Sequence, residues 1–300
     1  MLLYIFCYHS GRYHYQRDFA ILPSRNVFNV PLPRSGMFNK ILIATEGTPI
    51  MNNAMRYTAT LFPSAEYHVI SVVDTSVGSV HLTAALVKIL EERAERALHK
   101  SRKIFKEYDI KIKSKSLRGE PARAIAMYAT RENVDLVVLG TSTKSGVVKF
   151  TFGHVGEKLI KNMKQPLLMI NQQVDIKKPT RVLSPTDGGT HSKEAGKVAL
   201  FLAKYFDSTL FKYYVGTDEV TGKRVLESAQ IWAKELGVKE VETIDLTECE
   251  PGEEILRLAP EYDIIVMGKG KKSLFKKDLL GFASREVAAL SPVAVFLVGK

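Results

Sequence analysis

The chain has 300 residues, and its 43 Lys/Arg against 32 Asp/Glu give a net charge of +11. Hydrophobic residues make up 45% and charged residues 25%, which excludes a disordered chain, and at about 100–200 residues per domain the length suggests two domains. No run approaches the roughly 20 apolar residues of a membrane span; the longest apolar stretches, such as Leu136–Leu139 and Val293–Val298, are strand-length.

Residues 1–36 stand apart: rich in Tyr, Phe, Arg and His, without a sustained period, and broken by Pro23, Pro31 and Pro33. No positive segment precedes Leu2–Tyr8 and no small-residue cleavage site follows, so they read poorly as a signal peptide. They read as a start-site artefact or a loosely packed arm whose Arg and aromatic content would suit an acidic partner. The functional protein is expected to begin near Met37.

From there the pattern is strand, helix, strand. Ile41–Thr45 is a short apolar run ending in Glu46-Gly47-Thr48, and Ile50–Leu61 follows with helical character. Tyr67–Val73 reads as β. A long helix spans roughly His81–Tyr108, where Glu91, Glu92 and Glu95 interleave with Arg93, Arg96 and Lys100 as on a solvated face. Ile110–Leu117 is a third strand, and Pro121 suits the first turn of the next helix. Asp135–Leu139 is a fourth, ending in Gly140; a helix and a fifth strand at Gln165-Pro166-Leu167 close the series.

After a polar stretch, Gln172–Thr180, the pattern is written again. Val182–Thr186 ends in Asp187-Gly188-Gly189, and His191–Tyr205 carries Ala195, Val198, Ala199 and Leu202 at helical spacing. Thr209–Val215, Asp218–Leu236, Glu240–Leu246, a helix from Pro251, Asp263–Met267 ending in Gly268, and Ser291-Pro292-Val293 match their counterparts in order. Each half is β-α-β-α-β-α-β-α-β, the alternation of a parallel sheet with helices on both faces. The expected fold is therefore α/β, a tandem repeat of two flavodoxin-like or Rossmann-like parallel five-stranded sheets. The expected domains are residues 37–174 and 175–300, after the extension at 1–36. The charge is uneven: +3 in residues 1–36, +8 in 37–174 and zero in 175–300.

Ligands in such folds sit beyond the C-terminal strand ends, at the switch in strand order. The loop after strand four runs Gly140-Thr141-Ser142-Thr143-Lys144-Ser145-Gly146 to Gly153-His154 in the first half, and Gly268-Lys269-Gly270-Lys271-Lys272 to Gly281-Phe282-Ala283-Ser284 in the second. Backbone amides there, with the next helix N-terminus, can hold phosphate oxygens, although glycine at a strand-to-helix turn is more often plain turn chemistry. Glu46 and Asp187, after strand one, could accept from ribose hydroxyls or serve the next helix as caps; the longer Glu46 favours the cap or solvated reading.

This order of elements, with Ile41–Thr48, Val182–Gly188, Gly119-Glu120-Pro121 and the two Asp-to-Gly fourth strands, resembles the universal stress protein family in its tandem two-domain form. The likeness covers about residues 38–298. It implies an adenine-nucleotide alpha-hydrolase-like fold, a pseudo-dimer of the two domains with their fifth strands facing, and, in ATP-binding members, a Gly-x2-Gly-x9-Gly-Ser/Thr loop with an Asp after strand one. Neither half keeps that loop whole. The first has Gly140 and Gly153, but Thr143 replaces the middle Gly, His154 the Ser/Thr and Glu46 the Asp. The second keeps Pro185, Asp187, Gly268 and Gly281, but Lys271 and Phe282 break the motif, leaving Ser284 two places later. Lys269, Lys271, Lys272, Lys276 and Lys277 make that loop basic and could recover anion affinity, or form a solvated surface.

The likeness thus implies ATP or another adenine nucleotide in at most one half, with Mg2+ accompanying it. Glu46 or Asp187 would hold ribose, Val72 or Val215 would offer backbone to adenine, and Gly140, Thr143, Gly153 and His154, or Gly268, Gly270 and Gly281, would frame the phosphates. No HExxH, P-loop or Ser-His-Asp arrangement is evident, so a regulatory stress-response protein is expected rather than an enzyme, with no metal site of its own. Cys7 and Cys249 form no ligand set, and the cytoplasm is the default compartment. Rival readings are a nucleotide-free interaction scaffold and nonspecific nucleic-acid binding through Lys100, Arg102, Lys103, Lys106, Lys111, Lys113 and Lys115. A homodimer is a further possible assembly; no membrane partner is expected.

Overall fold

Strand β1 (Lys40–Ala44) and its counterpart β6 (Arg181–Thr186) lead into the same turn. The computed structural model describes residues 37–76, 83–141, 154–216, 218–238, 241–244, 250–270 and 279–299; the arm read at 1–36 lies outside them. The Thr45 and Thr186 hydroxyls accept from the backbone N–H two residues on, at Gly47 (3.0 Å) and Gly188 (3.1 Å). Both glycines are left-handed, at φ 78° and 75°, which a Cβ would disfavour. Helices α1 (Pro49–Leu61) and α5 (Thr190–Phe206) begin there. The Thr48 side chain accepts from Met51 N–H as the α1 cap, with Pro49 in the first turn, whereas α5 starts at Gly189 without a side-chain cap.

The first half continues with β2 (Glu66–Asp74), α2 (Ala84–Lys106), β3 (Ile112–Gly119), α3 (Pro121–Arg131), β4 (Leu136–Gly140), α4 (His154–Asn162) and β5 (Leu167–Ile170). The second has β7 (Thr209–Tyr214), α6 (Glu219–Leu236), β8 (Val241–Ile244), α7 (Pro251–Leu258), a 3-10 turn (Ala259–Glu261), β9 (Ile264–Gly268), α8 (Leu279–Leu290) and β10 (Ala294–Val298). Helix α2 starts at a Thr83 cap; the expected start at His81 lies outside the described residues.

Asp135 and Asp263, read as opening the fourth strands, stand just before them and act as staples. Asp135 accepts from Asn39 and Lys40 N–H at 3.0 and 2.8 Å, and Asp263 from Thr180 and Arg181 N–H at 2.8 and 3.0 Å. Each ties the start of strand four to the start of strand one. Burial pushes the Asp263 carboxyl up, but Lys177 and the Thr180 and Arg181 donors outweigh it, and the net shift is downward.

Within each half the strands are parallel, ordered β3-β2-β1-β4-β5 and β10-β9-β6-β7-β8. The two five-stranded arrays join into one ten-stranded sheet, because β5 and β10 pair antiparallel. Leu167, Leu168 and Met169 face Leu297, Phe296 and Val295, a register symmetric about the Leu168–Phe296 pair. Both strands are buried along their length, so pairing satisfies edges that would otherwise be apolar and open. Helices α1, α2, α5 and α6 cover one face and α3, α4, α7 and α8 the other. Each face carries one hydrophobic cluster that runs through both halves.

Candidate functional site

Strand order reverses between β1 and β4, and a cavity of about 290 Å3 opens there beyond the strand ends. Ala44, Thr45 and Glu46 contribute from the end of β1, Val72 from β2, and Leu139 and Gly140 from β4. Pro121 and Ile125 of α3 form an apolar wall, and His154, Val155 and Gly156, the first turn of α4, close another side. That turn brings its backbone N–H groups and the positive end of the helix dipole to the cavity. Gly140 is there because α1 passes close: a Cβ would lie 2.8 Å from Ile50 Cγ2 and from Met51 Sδ.

Glu120 braces this site. One carboxylate oxygen caps α3 by accepting from Arg123 N–H at 2.7 Å, and the other accepts from Lys158 Nζ of α4 at 3.0 Å. The Arg123 N–H and then Lys158 hold this carboxyl below its ordinary range. Glu46 is exposed, and Thr48 rather than Glu46 caps α1.

The corresponding corner of the second half is filled differently. Asp187 accepts from Gly189 N–H at 2.8 Å and from Ser192 Oγ at 2.6 Å, so its carboxylate serves its own turn. His191 stands where Ile50 stands in the first half, with both ring nitrogens buried and without a hydrogen-bond partner among the described residues. A Cβ on Gly268 would meet His191 backbone carbon at 2.8 Å. Gly252 lets α7 approach α8: a Cβ there would lie 3.4 Å from Ala283 Cα and inside the Glu286 carboxylate. Burial, then the charges of Glu253 and Glu250, push Glu286 up. It occupies the place that Lys158 holds in the first half.

Two polar side chains of the second loop are engaged within the fold. Lys269 does not face a phosphate site: its Nζ donates to Met163 O at 2.9 Å and Gln165 O at 2.8 Å in the first half. Ser284 is buried, and its hydroxyl donates inward to the Lys269 and Gly281 carbonyls. Pro185 is buried within β6, and Val215 is buried with its N–H donating to Thr186 O at 2.8 Å. Gly270 has φ 70°, and Gly281 lies in α8. The structure thus gathers Glu46, Val72, Gly140 and His154 at one cavity. Thr143, Gly153, Lys271, Lys272, Lys276 and Lys277 lie outside the described residues.

Several polar groups had no sequence signal. Lys212 is buried in β7, its Nζ donating to Ser184 Oγ at 2.9 Å; burial lowers it to about 7 despite the pull of Asp187. His68, also buried, lies 2.8 Å from Glu66 Oε1 through Nε2 and 2.9 Å from the Tyr128 hydroxyl through Nδ1. A carboxylate only accepts, so Nε2 carries the proton and, in the neutral ring, Nδ1 accepts from Tyr128. In the basic group, Arg102 is held by Ser114 and Glu95, and Lys113 by Glu66. Among the described residues no three His, Cys, Asp or Glu side chains gather to hold a metal, and no helix is long and apolar enough to cross a membrane.

The universal stress protein family matches residues 37–171 and again 179–299. A universal stress protein of Methanocaldococcus jannaschii is 32% identical over 145 residues, 45% of this chain and 84% of its own. The crystal structure of a universal stress protein from Archaeoglobus fulgidus DSM 4304 superposes with a TM-score of 0.74 at 22% identity, covering 87% of this chain and 98% of that one. A universal stress protein solved in complex with cAMP covers 47% of this chain and all of its own, at 15% identity and a TM-score of 0.37. With both halves matched and the repeated sheet in hand, the chain belongs to the universal stress protein family, in its tandem two-domain form.

Proposed function

We propose that the first half binds an adenine nucleotide and that the protein acts as a ligand-responsive regulatory protein, not an enzyme, in the cytoplasm. The cavity at the ends of β1 and β4 carries this reading. Val72, Pro121 and Ile125 offer apolar walls for a base, Glu46 a carboxylate for ribose, and Gly140 with the first turn of α4 a place for phosphate. At about 290 Å3 the cavity suits base and ribose, leaving the phosphates at its mouth beside α4. Any Mg2+ would be carried by those phosphates. The second half, with Asp187 engaged in its own turn and α7 drawn against α8, is the structural partner in this reading.

The test is mass spectrometry of small molecules released when gently purified protein is denatured. Stoichiometric ATP, ADP or AMP is expected, lost in Glu46→Ala and kept in Asp187→Ala. No nucleotide, with no thermal shift at millimolar ATP, overturns the reading and leaves a nucleotide-free scaffold or nonspecific nucleic-acid binding. Strong salt dependence would mark the latter.

A further inference from the structure

We infer that Lys269, just past β9 in the second half, is a positioning residue for the first half's cavity: it anchors the C-terminal end of α4, whose other end lines that cavity. What the cavity holds rests on the nucleotide reading above; the anchor itself does not.

Met163 N–H donates to Leu159 O, so the chain is still in helical hydrogen bonding at Met163, and the Met163 carbonyl is among the acceptors a helix leaves open at its end. The Lys269 ammonium takes that carbonyl and the Gln165 carbonyl together. A cation there also complements the negative end of the α4 dipole. Helix α4 has nine residues, a rod of about 13 Å, so a shift at one end is carried to the other. Its first turn lines the cavity, and Lys158–Glu120 is its second tether.

The mirror position shows that the lysine is a specific solution. At the end of α8, the Ser291 carbonyl accepts from the Asn171 side-chain amide of the first half. The register makes Gly299 the counterpart of Asn171, and Lys269 that of Thr141. Gly299 has no side chain to offer, and Lys269 uses the room: a Cβ at Gly299 would lie 3.6 Å from Lys269 Cδ. One end of the junction is held by a neutral amide on one carbonyl, the other by an amine on two.

The groups around that amine are the Met163 and Gln165 carbonyls on the α4–β5 connection and, from α8, Ser284, whose hydroxyl donates to the Lys269 carbonyl; Lys164, between the two carbonyls, is exposed. Among the described residues no carboxylate pairs with it. Loss of hydration, unopposed, lowers Lys269 to about 7, so the anchor changes charge near neutral pH. Charge-assisted hydrogen bonds are roughly twice as strong as neutral ones, so the anchor is tighter below that pH than above it.

Wild type, Lys269→Met and Lys269→Arg test this. Hydrogen exchange on the unliganded protein reads the anchor: Lys269→Met is expected to raise exchange about tenfold at the amides of residues 158–162, with Lys269→Arg near wild type. ADP titration reads the cavity: at pH 6 Lys269→Met is expected to bind about fivefold more weakly than wild type, the ratio falling toward one by pH 8.5. Titration of the ligand cancels in that ratio. Unchanged exchange in Lys269→Met overturns the inference whatever the nucleotide does. Raised exchange with a pH-independent ratio of one overturns the link to the cavity. A wild type that binds no ADP removes the nucleotide reading, and exchange alone then decides the anchor.

Discussion

In the first half, Ile43, Val69 and Met55 meet between the sheet and α1 in an apolar cluster. In the second, the same three places are held by Ser184, Lys212 and Gly196, and the Lys212 ammonium fills the space beside Gly196, 3.1 Å from where its Cβ would be. On the other face of the sheet, the buried His68 of the first half links Glu66 to Tyr128, where the second half has Phe211 packed edge-on to Tyr262 under the Arg181 guanidinium. Beside the ligand corner, Lys158–Glu120 is answered by Glu286 among Glu250 and Glu253. The turns and staples that set the backbone are the same in both halves, while the fillings changed in sets of neighbours. A buried polar group is tolerated where its partners changed with it, because unpaired it would cost about 1–3 kcal/mol.

The largest expected effect attacks the lysine set. The unfolded chain holds the Lys212 proton up to about 10.5 and the folded protein releases it near 7. Between those values the unfolded state binds more protons, so stability rises with pH; below 7 the full penalty is present. Lys212→Met should be about 5 kcal/mol more stable than wild type at pH 6, the gap shrinking above pH 7 and closing near pH 10.5, by denaturant titration. A gap independent of pH would mean that the amine is charged in the fold.

Next come the paired glycines. Gly268→Ala drives a methyl into the His191 backbone, whereas Gly140→Ala meets, among the described residues, the side chains of Ile50 and Met51, which can turn aside. Costs of about 3 and about 1 kcal/mol are expected, and equal costs would refute the distinction. Importing Phe into the polar chain, as His68→Phe, should cost about 1–2 kcal/mol by leaving the Tyr128 hydroxyl unpaired. Adding Tyr128→Phe should restore most of it, and a double-mutant cycle reads the coupling. The smallest effect is a gain: His191→Ile, borrowing the residue of the first half, should stabilise by about 1 kcal/mol by removing unpaired buried nitrogens.

Much of the fold was readable because its signals are local. Thr-acid-Gly after strand one, Pro at the starts of α3 and α7, and Gly at the ends of β4 and β9 each report a turn that nearby residues impose. Lys212 was not readable, because a lysine in a strand looks solvated until Ser184 and Gly196, on two other elements, are brought against it. The direction of Lys269 was not readable for a similar reason: it lies in a basic, glycine-rich loop, but Gly299 and the carbonyls after α4 decide where it points. The gathering of Glu46, Val72, Gly140 and His154 followed from strand order. The role of Asp187 turned on Ser192, five residues on, whose hydroxyl donates to it.

The antiparallel junction of β5 and β10 has a consequence for how such a molecule can change. Two identical subunits paired along this dyad would repeat every substitution on both sides, and dilution could part them. Joined in one chain, the halves meet at an effective concentration that no dilution lowers. Each position near the axis exists once, so it can be altered without its mirror image. That freedom allows Asn171 at one end of the seam and Lys269 at the other, a pair of unlike clasps that no symmetric dimer could wear.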